Sequence, residues 1–530
     1  MEIPEAAEAG TQMQQNIELG TQTAKVASSV LLGKVIIFLL TGLSFIAVAR
    51  ILGPSTYGIY TLAMAIIGIF GSVGDLGIGM SFNKFLPEYM QRNERDKARE
   101  LLKNGFAMLL LFGGVLTAAM FLLSGTFSTY IYHNPSYAGL IEAAAFLIIL
   151  SIIYGDTYSA LIGLRRGRGI AVTAGIEAAV QAGASVAFAL LGYGAFAPIF
   201  GLILGYSSGI ITAGTYVGRG VRGGRAGAIS IARIKELLGF SLPIGISNLF
   251  GTAVSNISLV VLGLFATSVV IGNFGVANRT GSLIDLITGS ISVSLITMFS
   301  AALALKRGKE EISKFYNYSL YLAFVLVTPL LFYIGILAKP FSYVAFSGVY
   351  RLSPMYIAIM ALGIFIGLIG TYSYNLLVSA NKVKSILKYT IITSLVEFAL
   401  MPVLIPEFKG VGLTVLLFVV APLVGNVMYI NGLRSMFGIS IRVKKILRVV
   451  LANVISFAFV FIASLLIGNY MIPLLIVSVL IVLAVYPPVL ALVKGLQKND
   501  VEIVKSATKD VPVIGNFVAY LLEYSERFMR

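Results

Sequence analysis

Five ionisable side chains lie inside long apolar segments, where charged groups are rare. They are Lys34, Asp75, Asp156, Glu177 and Glu397. Each lies nine residues from a basic residue at one end of its segment, so in helices all five lie about 13 Å in from that end. A charge in hydrocarbon is costly and must face an opposite charge or a water-filled cavity. These residues are therefore the first candidates for helix pairing, for binding of an ionic ligand or for ion coupling.

Two interpretations of these charges stay open. In the first, Lys34 and Asp75 pair at equal depth on neighbouring helices and hold them together. In the second, the charges line a hydrated cavity and contact a substrate or a coupling ion. We favour the second for Lys34, because a buried lysine calls for an anionic ligand, and favour neither for Asp75. For the other three carboxylates we favour a structural role, with ion coupling as the alternative.

Two further groups of polar residues are candidates for substrate contact. One is a polar stripe on a single helical face, composed of Asn248, Thr252, Ser255 and Asn256. This stripe fits helix packing and cavity lining equally well. The other is Arg279, a second candidate for contact with an anionic group, whose alternative role is an interface pair with Asp285.

The elements that position these residues are membrane-spanning helices. The chain has 530 residues, of which 58% are hydrophobic and 12% charged, against about 25% charged residues in soluble domains. Windows of about 20 apolar residues recur and suit helices, which satisfy their own backbone hydrogen bonds in lipid. Fourteen spans are predicted, near 28–49, 58–83, 105–123, 138–162, 170–192, 196–217, 240–264, 281–305, 316–338, 355–378, 389–405, 411–433, 449–467 and 471–493.

The net charge of +16 is explained by topology rather than by nucleic-acid binding. Of the 39 lysines and arginines, 33 fall on one side of the predicted spans and five on the other. We call the first side the basic face. The positive-inside rule places it, and both termini, in the cytoplasm of a multi-pass plasma-membrane protein.

The sequence is poor in catalytic signatures. It has no cysteine and a single histidine, His133, which excludes cysteine-ligated metals, histidine metal sites and histidine-dependent triads. There is no P-loop, so ATP hydrolysis by this chain is not expected. No catalytic residue, cofactor or metal site is predicted, and the chain is not expected to be an enzyme.

A weak internal repeat predicts two halves. With an offset of 214 residues, Gly58 aligns with Gly272, Tyr60 with Phe274 and Ala63 with Ala277. An even number of spans in each repeat preserves orientation, as in parallel duplications. The predicted units are a cytoplasmic segment 1–27, an N-lobe 28–217, a linker 218–239, a C-lobe 240–433, two added spans within 434–493, and a cytoplasmic tail 494–530 that could form an interfacial helix.

A tight turn is predicted between the first two spans, because Pro54 fixes φ while Gly53 and Gly58 permit the chain to reverse. Short motifs at and after this turn carry a family resemblance. "RILGPSTYGIYTLA" at 50–63, "GSVGDLGIGMSFNKFLPEY" at 71–89 and "SLPIGISNL" at 241–249 resemble the polysaccharide-biosynthesis flippases, or Wzx-type proteins, of the multidrug/oligosaccharidyl-lipid/polysaccharide exporter superfamily. The resemblance implies an all-α polytopic membrane protein, with two six-helix lobes around a central cavity. It also implies export of a polyprenyl- or dolichyl-(pyro)phosphate-linked oligosaccharide by alternating access, with membrane lipids and glycan-assembly enzymes as partners.

Two other functions remain alternatives. One is an ion-coupled multidrug extruder of cationic compounds, and the other is a membrane enzyme of glycan assembly. The charge of the cavity lining distinguishes a multidrug extruder from a flippase. A site for cations requires acidic groups, whereas a site for phosphate requires a fixed cation. The lysine in the first span favours an anionic substrate.

Overall fold

A computed structural model of the chain describes residues 4–74, 76–223, 227, 229–304, 308–468, 470–496, 501, 520 and 523–528, with most side chains described from Ile37 onward. The secondary structure of these residues is helical, and they contain no β-strand. This confirms the predicted all-α class.

Fifteen α-helices, two short helical turns and their connections make up the described chain. The helices are α1 (Pro4–Gly74), α2 (Ile78–Gln91), α3 (Arg95–Tyr130), α4 (Ala138–Gly163), α5 (Gly167–Leu190), α6 (Phe196–Gly220), α7 (Ile231–Phe265), α8 (Ser268–Ala304), α9 (Lys309–Ile336), α10 (Ala338–Phe346), α11 (Ser353–Ser379), α12 (Val383–Val415), α13 (Ala421–Phe437), α14 (Val443–Ile467) and α15 (Met471–Leu492). A π-helical turn at Leu416–Val420 joins α12 to α13.

Two of these helices fold back on themselves. In α1 the backbone leaves the helical region at Gly53 (φ 68°, ψ 172°), directly before Pro54. The rings of Phe45 and Tyr57 are 6.2 Å apart, whereas twelve residues of straight helix would separate them by about 18 Å. The turn predicted between the first two spans is therefore present, and a glycine supplies the positive φ that it requires.

The second reversal lies in α12 at Lys409 (φ 50°, ψ −124°), after Pro402 and Pro406. A Cβ on Gly412 would lie 2.6 Å from the carbonyl carbon of Leu404, which a straight helix would place two turns away. This turn lies between the eleventh and twelfth predicted spans.

The second predicted span is wrong at its end. The prediction runs as one helix over 58–83, whereas α1 ends at Gly74 and α2 begins at Ile78. Gly77 has a left-handed backbone (φ 72°), and a Cβ there would lie 2.5 Å from the carbonyl oxygen of Ser241 in α7. The break is thus formed where α2 packs against a helix far away in sequence.

Residues related by the 214-residue offset meet between α1 and α8. A Cβ on Gly58 would lie 2.7 Å from the carbonyl carbon of Ser268, and a Cβ on Gly272 would lie 2.8 Å from that of Pro54. The two contacts exchange under the offset, since Pro54 corresponds to Ser268. Such reciprocal contacts are typical of a two-fold interface.

The chain is a multi-pass membrane protein. Within its described residues, ten helical segments are long and apolar enough to cross a membrane: Ile37–Gly74, Arg95–Tyr130, Pro135–Gly163, Gly167–Leu190, Phe196–Gly220, Lys309–Ile336, Ser353–Ser379, Lys384–Phe437, Val443–Ile467 and Met471–Leu492. The first and eighth of these contain the reversals at Gly53 and Lys409. The number fourteen and the boundaries of the two lobes stay predictions.

Candidate functional site

Two cavities of similar size lie in different parts of the structure. The first, which we call the N-terminal cavity, has an empty volume of about 880 Å³ and is lined by residues of α1, α5, α6 and α8. The second, the C-terminal cavity, has about 800 Å³ and is lined by residues of α7, α11, α12 and α13.

The reversal at Gly53 places both halves of α1 along the N-terminal cavity. The half before the turn contributes Thr41 and Ser44, and the half after it contributes Tyr57 and Tyr60. Ser44 also donates a hydrogen bond to the carbonyl of Ala182 in α5 at 3.2 Å. The turn therefore supplies a hydroxyl-rich wall and an aromatic wall from one helix.

Arg279 of α8 supplies the positive charge of this cavity. It is the one ionisable Lys, Arg, Asp or Glu side chain among the described lining residues. It lines the cavity together with Tyr57, Tyr60 and Tyr206, and Glu177 of α5 is nearby. A cation surrounded by hydroxyl groups can bind an anionic group through charge-assisted hydrogen bonds.

A tyrosine cluster extends the aromatic wall. The rings of Tyr57 and Tyr60 are 5.5 Å apart, and Tyr206 stacks on Tyr154 at 5.2 Å. Tyr154 in turn contacts Tyr158 at 6.1 Å. Tyrosine combines an apolar ring with a hydroxyl that donates and accepts hydrogen bonds, so the wall can contact both faces and hydroxyls of a polar ligand.

The C-terminal cavity carries the opposite charge. Glu397 of α12 lines it and is only 7% exposed. Its surroundings are hydroxyl and amide groups, including Ser255, Thr393 and Asn426. Among the described residues, no hydrogen bond or ion pair to the Glu397 carboxylate is present. A buried carboxylate in such a setting can bind a proton or a small cation.

Four predicted site residues lie outside the residues whose side chains are described. They are Lys34, Asp75, Asn248 and Asp285. The pairing of Lys34 with Asp75 and that of Arg279 with Asp285 therefore stay predictions.

Asp156 and Glu177 lie at helix contacts. Asp156 is 5% exposed, and a Cβ on Gly79 of α2 would lie 2.7 Å from its Oδ1 atom. It is not among the described lining residues of either cavity, and its structural role stays a prediction. Glu177 lies one helical turn before Gln181, which lines the N-terminal cavity, and is half-buried beside the tyrosine cluster.

The polar stripe of α7 divides between two environments. Ser255 lines the C-terminal cavity. Asn256 instead donates to the carbonyl of Thr252 at 3.1 Å, and its side chain would lie 2.8 Å from a Cβ on Gly68 of α1. Both predicted roles, cavity lining and helix packing, thus occur on one stripe.

Sequence reasoning missed the tyrosines. Tyr57 and Tyr60 stand inside a motif that was interpreted only as a turn, while Tyr154, Tyr158 and Tyr206 are distant in sequence. The available signal was the spacing of three and four residues, which places Tyr57 with Tyr60 and Tyr154 with Tyr158 on common helix faces.

Comparisons with known proteins agree on the family and the fold. A family model described as "Polysaccharide biosynthesis protein" matches residues 23–303. The succinoglycan biosynthesis transport protein ExoT of Rhizobium meliloti (strain 1021) is 24% identical over 311 residues, which are 58% of this chain and 59% of that protein. The alignment thus spans less than two thirds of this relative's length.

Two solved structures share the fold. The lipid II flippase MurJ, in an inward closed conformation, superposes with a TM-score of 0.67 at 16% identity over 86% of this chain and 96% of that one. A multidrug resistance MATE family transporter of the MOP superfamily, in an inward-facing conformation, gives 0.59 at 16% identity over 74% and 92%. At these identities the likeness concerns the fold.

Proposed function

The chain belongs to the polysaccharide biosynthesis protein family, and we propose that it is a flippase for a lipid-linked oligosaccharide. In this proposal the polyprenyl- or dolichyl-(pyro)phosphate-linked substrate moves from the cytoplasmic to the outer leaflet by alternating access of two lobes. The name of ExoT, a succinoglycan biosynthesis transport protein, supports transport in polysaccharide biosynthesis, and the fold shared with the lipid II flippase MurJ is compatible with a lipid-linked substrate.

The single observation that carries the proposal is the position of Arg279 in the N-terminal cavity. A phosphate that enters a partly dehydrated cavity loses hydration and requires a fixed cation. The guanidinium is always charged and presents several donors in a planar fork that matches phosphate oxygens. Lys34 remains a further candidate for the same contact.

The sign of the charge favours this function over extrusion of cationic drugs. Among the described lining residues, the N-terminal cavity has an arginine and no carboxylate, and the nearby Glu177 lies one helical turn before the lining residue Gln181. The charge of the lining itself is thus positive, which favours an anionic ligand. Glu397 in the other cavity supports coupling to a proton or sodium gradient under either function.

Alternating access requires the two halves to separate and rejoin, and this structure is joined near Gly53. Arg50 donates to the carbonyls of Val344 and Ala345 at the end of α10. Tyr350 donates to the carbonyl of Ala49 at 2.7 Å. These contacts lie on the face opposite the basic face, so the cavity would be closed toward the outer side.

The proposed orientation can be tested by cysteine labelling, because the native chain contains no cysteine. We expect Ser136→Cys to react with a membrane-impermeant thiol reagent added outside intact cells, and Lys444→Cys to react only after permeabilisation. Both residues are exposed. Labelling of both from the same side would contradict the topology.

The transport proposal is tested with purified protein in liposomes that contain a fluorescent lipid-linked oligosaccharide. The measurement is the fraction of fluorophore exposed to an impermeant reductant over time, without ATP. We expect translocation by the wild type, loss with Arg279→Ala and partial retention with Arg279→Lys, while Arg351→Ala, which removes an exposed arginine outside both cavities, leaves the rate unchanged. Translocation only upon ATP hydrolysis by this chain, or full activity of folded Arg279→Ala, would contradict the proposal.

A further inference from the structure

A third pocket lies outside both cavities, where α9 and α14 begin at the basic face. It has an empty volume of about 950 Å³, and we call it the α9–α14 pocket. Three cations line it, Lys314, Arg442 and Lys445, together with one carboxylate, that of Glu311. The lining therefore carries about two net positive charges at neutral pH.

The wall that carries Arg442 is held in place by a buried amide. Asn317, 8% exposed, donates to the carbonyl of Ser440 at 3.0 Å and accepts the backbone N–H of Arg442 at 2.8 Å. One side chain of α9 thus fixes the segment that leads into α14. Since these bonds involve the backbone of Arg442, its side chain can be replaced without removing them.

The other two cations come from both helices, Lys445 from α14 and Lys314 from α9. The Lys445 ammonium lies 5.0 Å from the centre of the Tyr321 ring, within the range of a cation–π interaction. Lys314 pairs with Glu310 at 2.8 Å, with both side chains mostly exposed. Exposed ion pairs of this kind are weak, so Lys314 can exchange this partner for a ligand.

An apolar helix face runs from the pocket into the membrane. Val443, Leu447, Leu451 and Val454 are 54%, 59%, 48% and 52% exposed, at spacings of four, four and three residues on α14. Such a face contacts acyl chains in a membrane protein. A ligand that combines a phosphate with acyl chains therefore matches both the cations and the neighbouring apolar surface, whereas a soluble phosphate would use only the cations.

We propose that the α9–α14 pocket binds the phosphate head group of an anionic phospholipid from the leaflet at the basic face. Basic pockets between transmembrane helices on the cytoplasmic side bind such head groups by charge. The bound lipid would bridge α9 with α14 and so fasten the C-terminal helix pair to the rest of the protein. This site shares no described lining residue with the two cavities and does not depend on the proposed transport function.

The test is the thermal unfolding of the full chain in an uncharged detergent, with three added probes. The probes are dioctanoyl phosphatidylglycerol, dioctanoyl phosphatidylcholine and inorganic phosphate. A ligand that binds only the folded state raises Tm with its concentration. We expect phosphatidylglycerol to stabilise the wild type, with little effect of the other two probes.

Two double variants, each of which removes two positive charges, show where phosphatidylglycerol binds. Arg442→Gln with Lys445→Gln should weaken the apparent affinity for phosphatidylglycerol about tenfold or more, since each cation contributes to attraction of an anionic lipid. Lys384→Gln with Lys388→Gln removes two exposed lysines at the start of α12 and should leave it unchanged. Equal loss in both double variants would overturn the proposal in favour of non-specific surface attraction.

Inorganic phosphate and a third variant distinguish lipid binding from phosphate binding and from a folding defect. An equal Tm increase with inorganic phosphate alone would overturn the lipid assignment, because it would show that the acyl chains contribute nothing. If the variant with Arg442→Gln and Lys445→Gln does not fold, Lys314→Gln takes its place, because Lys314 is exposed and its replacement should be tolerated. We expect Lys314→Gln to weaken phosphatidylglycerol binding measurably. Unchanged binding by that variant would contradict the proposal.

Discussion

The two cavities are alike in volume and in hydroxyl content, but they differ in charge and in aromatic character. Among the described lining residues, the N-terminal cavity holds Arg279 and three tyrosines, whereas the C-terminal cavity holds Glu397 and one tyrosine, Tyr429. A fixed cation suits an anionic substrate, and a buried carboxylate suits a proton or metal cation. We therefore propose that substrate binding and ion coupling use different cavities, although Arg279 and Glu397 both belong to the predicted C-lobe.

The largest effect on transport is expected where the two halves meet, at Gly58 and Gly272. A Cβ on Gly58 would collide with the backbone of Ser268, so Gly58→Ala should hold the halves apart and abolish transport. Gly71→Ala is the matched control in the same helix, because a Cβ there meets nothing within 4 Å. The state can be measured as reactivity of Ser268→Cys toward an impermeant thiol reagent, which should rise in the Gly58 variant only.

The opposite result for Gly58→Ala and its control would show that the two-fold contact has no role in transport. Full transport with Gly58→Ala, together with unchanged Ser268→Cys labelling, would show that the α1–α8 contact is not needed for transport.

A smaller effect is expected from the charge of the C-terminal cavity. Glu397→Gln should retain substrate binding but lose stimulation by a proton or sodium gradient, a change of about fivefold or more if coupling has its usual strength. Glu407→Gln, at an exposed position of the same helix, should respond as the wild type does. The measurement is liposome translocation with each gradient imposed separately, and an equal gradient response in the Glu397 variant would exclude this residue from coupling.

The smallest effect is expected when one tyrosine hydroxyl is removed from either cavity. Tyr60→Phe keeps the ring but removes the hydroxyl near Arg279, so substrate affinity should fall by about 2- to 10-fold, as for loss of one hydrogen bond. Tyr429→Phe makes the same change in the C-terminal cavity and should leave substrate affinity unaltered. Equal losses in both variants would indicate that substrate contacts both cavities.

The first turn was predictable because its local sequence specifies it. The break after Gly74 was not predictable, because it depends on long-range packing. The reversal at Gly53 follows from a glycine that permits positive φ and a proline that fixes the next residue. The break after Gly74 depends on the approach of α2 to Ser241, more than 160 positions away, so the glycines of the segment permit a break but do not show where it forms.

The charged residues of the candidate site were predictable, but their grouping and the surrounding tyrosines were not. A depth estimate placed Asp156, Glu177 and Glu397 in one layer, but depth does not tell which way a residue faces. The structure assigns Asp156 to a helix contact and Glu397 to a cavity with Ser255. Arg279 was identified as a candidate, while its tyrosine surroundings come from three helices that only tertiary packing brings together.

The most direct test of a charge-based division between the cavities is equilibrium binding of a lipid-linked oligosaccharide diphosphate to Arg279→Ala and Glu397→Gln in nanodiscs. Removal of a charged, hydrogen-bonding partner should raise Kd about 30-fold for Arg279→Ala, while Glu397→Gln should leave Kd near that of the wild type. A large increase for Glu397→Gln with none for Arg279→Ala would contradict the account.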